Sequence, residues 1–357
     1  MKILIDIGHP AHVHYFKNFI RIMNEKGHSC FITARNKEIA FQLLKKYKIP
    51  YRSRGKGGGS VFGKILYLPK AVFIIYKWAI IFKPDLFLSF ASTYAAYASW
   101  LSRKPHIAFD DTEHAKLELL LYPLVTNHIL TPDCFNKQLG KKQLLFKSYI
   151  EFTYLHSNYF NPEPGIKSEL GLTKDDKFIL FRFVKWGASH DIGQSGIPDT
   201  LKLDLLNLFV NQGYTVFISS EGELQKEFQR YQIKVSPEKI HSVIYEADMF
   251  IGESGTMANE AAILGIPSIF VNSLDAGVFQ DEVKYKLLYS FRSSTNLLDE
   301  IIKLLKIPDL KQLHKTRRVK LVKDKIDVTA FMVWFIENYP KSAKVLKENP
   351  DYQNNFK

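Results

Sequence analysis

Ser254, Gly255 and Thr256 are the residues of this 357-residue chain whose types and order best suit a chemical task. They stand where an apolar strand is predicted to end and a helix to begin. Free backbone N–H groups and the positive end of a helix dipole meet at such a point, and both attract phosphate. Gly255 has no Cβ, so a diphosphate can approach the backbone, and Glu260, about one and a half turns later, can reach a ribose. An ordinary strand–helix–strand unit with a Ser N-cap also explains the segment.

This segment resembles the nucleotide-binding motif of GT-B glycosyltransferases and of the non-hydrolysing UDP-N-acetylglucosamine 2-epimerases. The epimerase pattern is Asp-Ser-Gly-Gly, three residues, then Glu and a small residue. Here Glu253 replaces the Asp and Thr256 replaces the second Gly. The resemblance implies that Ser254 and Gly255, with Thr256 next to them, hold the diphosphate and that Glu260 contacts the ribose. It implies a nucleotide-sugar site more directly than it implies one reaction.

A second cluster of candidate residues follows the predicted strand 2–7, where a doubly wound sheet binds its ligands. The cluster is Gly8, His9, His12 and His14. It resembles the Gly-His-x-Asn-Pro loop of plant-type GT-B glycosyltransferases, whose His is the general base. This resemblance gives the base role to His12, with His14 as the runner-up and Gly8 and His9 binding substrate. A pKa of about 6.5 leaves histidine mostly neutral and able to accept a proton. Metal binding is the rival interpretation, but no acidic or Cys ligand accompanies the histidines at helical spacing.

An acidic group follows the predicted strand 106–109, and it consists of Asp110, Asp111 and Glu113. The base of the resembled glycosyltransferases is usually oriented by an acid, so Asp110 or Asp111 is expected to orient the His12 ring. In an epimerase these acids would instead shuttle protons. A helix N-terminus with acidic residues favoured by the dipole is the alternative.

Other polar residues at predicted strand ends are expected to contact the nucleotide sugar. They are Arg182, Lys185 and His190 after strand 178–184, Ser219 and Glu221 after strand 215–219, and Gln280 beyond the strand that follows the Ser-Gly-Thr turn. A cation such as Arg182 or Lys185 would neutralise a diphosphate. A surface salt-bridge role is the alternative.

Composition limits the class of protein. Hydrophobic residues make up 46% and charged residues 24%, which is typical of a soluble globular protein. Two cysteines do not make a disulfide framework, and the first residues predict a strand and not a signal peptide, so a cytoplasmic location is expected. The Cys and His spacings do not match a zinc site and no Asp-x-Asp pair occurs, so we expect no metal and no cofactor besides a UDP-sugar substrate.

The net charge of +13 calls for a partner or a solvent explanation. Zinc-finger and RRM signatures are absent from the sequence, so nucleic acid is not the expected partner. A basic surface for solubility and an anionic membrane face are the alternatives. Residues 61–83 favour the membrane because they are apolar and aromatic, with lysines at 64, 70, 77 and 83. Their apolar runs are shorter than the roughly 20 residues that a spanning helix needs. The segment therefore predicts a helix lying on the membrane surface, or a buried helix of the first domain.

Strands alternate with helices in both halves of the chain, which predicts two parallel, doubly wound sheets. The main predicted elements are strands 2–7, 29–34, 85–90, 106–109, 129–131, 178–184 and 215–219, and helices 15–26, 37–47, 93–102, 199–211, 222–230, 297–306, 310–323 and 328–337. A break at 158–173 contains Pro and Gly. It divides the chain into domains 1–157 and 165–327, and a C-terminal helix at about 328–345 is expected to pack back on the first.

Over nearly its whole length the chain resembles DUF354, an uncharacterised bacterial and archaeal family that is GT-B-like. The matching segments are Asp6–Pro10, Phe109–Ala115, Tyr154–His156, Phe181–Phe183 with Trp186, and Glu253–Met257. The resemblance implies two Rossmann-like domains facing a cleft. It also implies an inverting, metal-independent glycosyltransferase that uses a UDP-sugar donor in cell-surface polysaccharide or glycolipid biosynthesis. The acceptor would be lipid-linked or a glycan, at the inner face of the cell membrane. A sugar-nucleotide 2-epimerase and a non-catalytic nucleotide-sugar or glycan-binding protein are the alternatives.

Overall fold

Two parallel sheets organise the fold, one in each of two units. A computed structural model describes residues 1–58, 61–184, 196–220 and 222–357. The first unit comprises Met1–Tyr159 and Lys325–Lys357, and the second comprises Phe160–Asp324. Each unit is built on one parallel sheet with helices along it. The prediction of two doubly wound parallel sheets is therefore confirmed.

The first unit contains a seven-stranded sheet. Its strands are β1 (Lys2–Ile7), β2 (Ser29–Ala34), β3 (Tyr51–Ser53), β4 (Leu86–Phe90), β5 (His106–Phe109), β6 (His128–Pro132) and β7 (Gln143–Phe146). They run parallel in the order β3-β2-β1-β4-β5-β6-β7. The order reverses between β1 and β4, so the loops after these two strands diverge and leave a crevice at their carboxyl ends.

Six helices of the first unit precede Tyr159. They are α1 (Pro10–Glu25), α2 (Ala40–Lys46), α3 (Val61–Phe82), α4 (Thr93–Leu101), α5 (Lys116–Val125) and α6 (Phe152–Leu155). The predicted start of α1 at Tyr15 is wrong, because the helix begins at Pro10. His9 is the N-cap and its Nδ1 accepts a hydrogen bond from the Ala11 N–H at 3.2 Å, while proline is well suited to the first helical position. His12 and His14 consequently lie on α1 and not in a loop.

Helix α3 has one buried side and one exposed side. Val72, Ile75 and Ala79 pack in a hydrophobic cluster with Phe87 of β4, whereas Phe73 is 65% exposed. The buried-helix interpretation therefore holds for one side of α3, and membrane binding by the exposed side stays a prediction. Among the described residues, no helix has the length and hydropathy needed to cross a membrane.

The second unit contains a five-stranded sheet. Its strands are β8 (Phe178–Phe183), β9 (Thr215–Ser220), β10 (Met249–Gly252), β11 (Ser268–Val271) and β12 (Leu288–Phe291), in the order β12-β11-β10-β8-β9. Its helices are α7 (Ile166–Glu169), α8 (Asp199–Asn211), α9 (Lys226–Gln229), α10 (Ile240–Glu246), α11 (Gly255–Ile263), α12 (Gly277–Lys284), α13 (Leu297–Leu305) and α14 (Leu310–Asp324). The order reverses between β8 and β10, so this is where the second sheet is expected to bind a ligand.

The C-terminal residues return to the first unit as α15 (Val328–Glu337) and α16 (Lys341–Glu348). Asp327 begins α15 by accepting a hydrogen bond from the Ala330 N–H, and its carboxylate also accepts one from the Tyr159 hydroxyl at 2.8 Å. The Thr329 hydroxyl donates to the Thr153 carbonyl at 2.8 Å. These bonds tie α15 to the segment that precedes Phe160.

Candidate functional site

The Ser-Gly-Thr turn lies at the carboxyl end of β10, beside the reversal in the second sheet. Ser254 is the N-cap of α11 in an extended conformation (φ −88°, ψ 114°), and its side chain makes no capping hydrogen bond. Thr256, in the first turn, is exposed. The Ser254 side chain thus does not cap the first N–H groups of α11, and the positive end of the helix dipole favours an anion.

Gly255 has a packing reason for lacking a side chain. A Cβ on Gly255 would lie 2.6 Å from the Phe279 ring of α12. Packing against Phe279 alone accounts for a glycine at this position, and the approach of a diphosphate stays a prediction. Gln280, the next residue of α12, is exposed and its Nε2 donates to the Asp275 carboxylate at 3.0 Å.

Glu260 lies inside the second unit and has a definite partner. Its side chain is 6% exposed, and its Oε1 lies 2.9 Å from Nε2 of His241, a buried residue of α10. A histidine that fixes one carboxylate oxygen restricts the rotamers of Glu260. The contact between Glu260 and a ribose stays a prediction.

Arg182 and Ser219 meet at neighbouring strand ends. Nη1 of Arg182 donates to the Ser219 hydroxyl at 2.8 Å. Arg182 also stands opposite Gly252 in the register of β8 and β10. Gly252 is two residues before Ser254 in the chain. The structure thus brings Arg182, Ser219 and Ser254 to one edge of the sheet. Lys185, His190 and Glu221 lie outside the described residues.

Glu253 has a role that the sequence did not reveal. It is 1% exposed, and its carboxylate oxygens accept hydrogen bonds from the N–H groups of Val184 at 3.0 Å and Ile197 at 2.8 Å. Nζ of Lys202 lies 3.8 Å from Oε1. Glu253 therefore fixes Val184 and Ile197 beside the start of α11.

The first unit contains a cavity of about 230 Å³ at the reversal between β1 and β4. Gly8, His9 and His12 line it, so these predicted residues lie together. His14 does not line the cavity. It is 6% exposed, and its ring contacts Tyr47 and Tyr154 on the side of α1 that faces α2 and α6.

The His12 ring is oriented by the backbone. Its Nδ1 accepts a hydrogen bond from the Gly8 N–H at 3.2 Å, and the ring packs against Phe90. Burial lowers the pKa of His12 well below its ordinary value, and the nearby His9, Lys37 and Arg54 lower it further. The ring is therefore neutral at pH 7, with its proton on Nε2 because Nδ1 is an acceptor. The Gly8 N–H orients this ring at Nδ1, and its orientation by Asp110 or Asp111 stays a prediction.

The acidic group lies at the carboxyl end of β5. Asp110 is 1% exposed and accepts hydrogen bonds from the Tyr122 hydroxyl at 2.7 Å and the Thr112 N–H at 2.8 Å. Burial raises the pKa of Asp110 to about 6. Burial, together with the Asp110 and Glu113 carboxylates, raises the pKa of Asp111 to about 7. Glu113 is buried and accepts from the Asn136 N–H. The Asp110 and Asp111 carboxyl groups can therefore take up and release a proton near neutral pH.

A buried ion pair supports the cavity, and the sequence did not identify it as a pair. Asp6 and Arg54 are 0% and 1% exposed, and Nε of Arg54 donates to Asp6 at 2.8 Å. The Asp6 carboxylate also accepts from the hydroxyls of Thr33 at 2.9 Å and Ser92 at 2.6 Å. An acid inside the apolar strand Lys2–Ile7 was the available signal, but its partner lies 48 residues away.

Comparisons with known proteins agree with this architecture. The family model described as "Protein of unknown function (DUF354)" matches residues 1–340. An uncharacterized protein of Methanocaldococcus jannaschii is 25% identical over 280 residues, which is 75% of this chain and 81% of that protein.

Solved structures show the fold. A UDP-GlcNAc 2-epimerase from Neisseria meningitidis bound to UDP-GlcNAc has a TM-score of 0.66 at 12% identity, covering 95% of this chain and 100% of that one. A putative UDP-N-acetylglucosamine 2-epimerase from Listeria monocytogenes has a TM-score of 0.69 at 11% identity, covering 95% and 96%. MurG from Acinetobacter baumannii has a TM-score of 0.56 at 15% identity, covering 94% and 99%. The two parallel sheets are those of the GT-B fold.

Proposed function

The chain belongs to the DUF354 family, and we propose that it is a nucleotide-sugar enzyme, specifically an inverting, metal-independent glycosyltransferase with a UDP-sugar donor. The observation that carries this proposal is the start of α11, where the Ser254 side chain makes no capping hydrogen bond and Arg182 stands opposite Gly252 in the neighbouring strand. Backbone N–H groups, a helix dipole and a guanidinium at one sheet edge suit a diphosphate. The solved epimerase with bound UDP-GlcNAc has the same fold, which supports this class of ligand.

In this proposal the second unit stabilises the leaving group. Negative charge grows on the UDP oxygen as the bond to the sugar breaks. N–H groups and a guanidinium that are already in place lower the energy of that state without reorganisation. Glu260, held by His241, would accept hydrogen bonds from the ribose hydroxyls.

The first unit would bind the acceptor and provide the general base. His12 is the proposed base, and its geometry sets one condition. Nε2 becomes a proton acceptor only when Nδ1 carries the ring proton, which requires loss of the hydrogen bond from Gly8. The lowered pKa keeps the ring neutral at pH 7, as a base must be, and also makes it a weak one.

A lipid-linked or glycan acceptor at the inner face of the cell membrane belongs to the same proposal. Its support is a group of exposed apolar side chains on three neighbouring helices of the first unit. The group, named here the apolar face, is Leu66, Phe73, Ile80 and Ile81 of α3, Trp100 and Leu101 of α4, and Leu117, Leu120 and Leu124 of α5.

A 2-epimerase is the second candidate, and Asp111 is the observation that favours it. A carboxyl group with a pKa of about 7 is matched to proton transfer at neutral pH. Asp110, with a pKa of about 6, is directly adjacent.

The deciding experiment is incubation of the full-length protein with a panel of UDP-sugars, with and without a membrane lipid extract. A glycosyltransferase releases UDP and forms a glycosylated product only when the extract supplies an acceptor. Conversion of UDP-GlcNAc to its 2-epimer without extract, followed by NMR, would assign the epimerase instead. UDP-sugar binding by calorimetry without turnover in either arm would contradict both catalytic proposals.

A further inference from the structure

The cavity of the first unit is rich in cations. Arg35, Lys37 and Arg54 line it, against a single lining carboxylate, that of Glu118. Two of these cations have carboxylate partners: Arg54 pairs with Asp6, and the Lys37 amine lies 3.3 Å from Glu38. Arg35 has no carboxylate partner in the described part of the chain, and its Nε donates to the Lys56 carbonyl at 2.7 Å. One guanidinium thus faces the cavity without a counter-ion.

Arg54 presents a directed donor to the same space. Its Nε donates to Asp6 and its Nη1 to the Tyr67 hydroxyl at 3.2 Å. Its Nη2 lies 3.4 Å from the point that a Cβ on Gly8 would occupy, and it makes no hydrogen bond to any residue that the structure describes. Because Arg54 is 1% exposed and tied at two nitrogens, Nη2 is held in place before a ligand arrives.

Two helices add to the positive potential. The N-cap of α1 is His9 and the N-cap of α4 is Ser92, and both residues line the cavity. The positive ends of both dipoles therefore meet at the cavity.

The size and the walls of the cavity limit the ligand. A volume of about 230 Å³ is below the roughly 300–1,000 Å³ of pockets that take drug-sized ligands, so the cavity takes one group of a substrate and not a whole nucleotide sugar. Leu68, Phe90 and Leu121 form an apolar wall beside the cations. An anionic group attached to a sugar or an alkyl chain fits both kinds of surface.

We propose that this cavity binds a phosphate or carboxylate group of the acceptor substrate through Arg35 and Nη2 of Arg54. The term acceptor rests on the proposed transferase function, whereas anion binding by the first unit does not. The acceptor class is thereby narrowed to anionic molecules.

The test is calorimetry on the full-length protein at low ionic strength with five probes. Glucose 1-phosphate, glucuronate and decyl phosphate are anionic, and glucose and decyl glucoside are their neutral counterparts. The anions should bind and the neutral probes should not. The anion that binds most tightly distinguishes a sugar phosphate, a sugar acid and a lipid phosphate.

Arg35→Gln should weaken anion binding about tenfold, the loss expected for one charged hydrogen bond. Lys45→Gln removes the same charge from an exposed position of α2 outside the cavity and should leave binding unchanged. Gly8→Ala keeps every charge but places a methyl group in front of Nη2, at ordinary contact distance. It should lower anion affinity without lowering the unfolding temperature.

Equal binding of anionic and neutral probes would overturn the proposal, as would unchanged anion affinity in both Arg35→Gln and Gly8→Ala. UDP titration of the same samples reports on the second unit separately. Anion binding that depends on Arg35, in a protein that does not bind UDP, would uphold this site and refute the proposed donor. UDP binding without anion binding would do the reverse.

Discussion

At the scale of single residues, two kinds of ionisable group in the first unit differ in protonation. His12 is neutral at pH 7 with its proton on Nε2, because burial lowers its pKa and Gly8 donates to Nδ1. Asp110 and Asp111 instead gain or lose protons near neutral pH, because burial raises their pKa to about 6 and about 7. Substitutions at His12 and Asp111 therefore test different chemistry.

His12→Ala should lower the rate of sugar transfer by about 10²–10⁴-fold if His12 is the general base. UDP affinity should not change, because the proposed diphosphate site lies in the second unit. His12→Gln is the informative companion, since an amide donates a hydrogen bond but does not take up the proton. Transfer rates measured with both variants should fall alike. Recovery of activity in His12→Gln alone would show that His12 donates to the substrate and would exclude it as the base.

Asp111→Asn should stabilise the protein at pH 8 and leave it unchanged below about pH 4. The folded protein binds a proton at Asp111 more tightly than the unfolded chain, whose aspartates have a pKa of about 3.9. The stability from this proton is complete below about pH 4 and is lost as pH rises through about 7. Urea unfolding at pH 4, 6 and 8 should give a gain of about 1–3 kcal/mol at pH 8. Equal stability of variant and wild type at pH 8 would contradict the raised pKa.

The positions of candidate residues at the sheet edges were predictable where they follow from local order. Ser254 and His12 come after predicted strands, and Arg182 lies near the end of one. The Asp6–Arg54 ion pair and the hydrogen bonds of Glu253 to Val184 and Ile197 were not predicted. Each joins groups that are distant in sequence and meet only in the folded sheet. The orientation of the His12 ring was also beyond the sequence, since a backbone N–H has no residue signature.

At the scale of elements, most strands and helices were predicted, with errors at some ends and some short strands missed. β1, β2, β5 and α15 have the predicted ends. The three-residue β3 and the four-residue β7 were not predicted, although the four-residue β5 was. The start of α1 was predicted five residues too late, because the capping by His9 and the favourable Pro10 were not taken into account. That error placed His12 in a loop, whereas its helical backbone makes it a more rigid part of the cavity.

The start of α11 is an element that one exposed residue can test. Thr256→Glu places a carboxylate in the first turn, where it interacts favourably with the helix dipole and would compete with a diphosphate. UDP affinity measured by calorimetry should fall about tenfold, while the unfolding temperature stays equal or rises. Thr256→Gln is the uncharged control and should retain most of the affinity. Undiminished affinity in Thr256→Glu would remove the α11 N-terminus from the nucleotide site.

The apolar face of α3, α4 and α5 should bind vesicles that contain anionic lipid. Apolar side chains enter the interface, and exposed lysines such as Lys70 and Lys77 are attracted to the headgroups. The Lys64 side chain lies outside the described residues. Phe73→Ser should weaken binding roughly tenfold in vesicle sedimentation, and salt should weaken it further. Val319→Ser, at a position of α14 that is 68% exposed against 65% for Phe73, is the matched control. Equal sedimentation of all three proteins would exclude the apolar face as a membrane surface.

At the scale of the whole molecule, the two units differ in how the chain builds them. The second unit is one continuous stretch, whereas the first is assembled from Met1–Tyr159 and Lys325–Lys357. The returning stretch is part of the first unit's core, because Phe331, Met332, Phe335 and Ile336 of α15 are all 0% exposed. The Ser148 hydroxyl also donates to the Ile326 carbonyl at 3.0 Å. Because the second unit is one continuous stretch, it is expected to fold without the rest of the chain. The first unit needs both of its stretches.

This difference predicts the outcome of dividing the chain. A fragment of residues 160–324 should fold and bind UDP with an affinity close to that of the full-length protein, because every proposed diphosphate contact lies within it. A chain ending at Asp324 should not retain a folded first unit. Each lost core side chain of α15 contributes about 1.5–3 kcal/mol, and a domain has only about 5–15 kcal/mol of stability. Circular dichroism and UDP titration of both fragments are the measurements. A folded fragment 160–324 that does not bind UDP would show that the nucleotide site needs the first unit, and the assignment of the donor to the second unit alone would then be wrong.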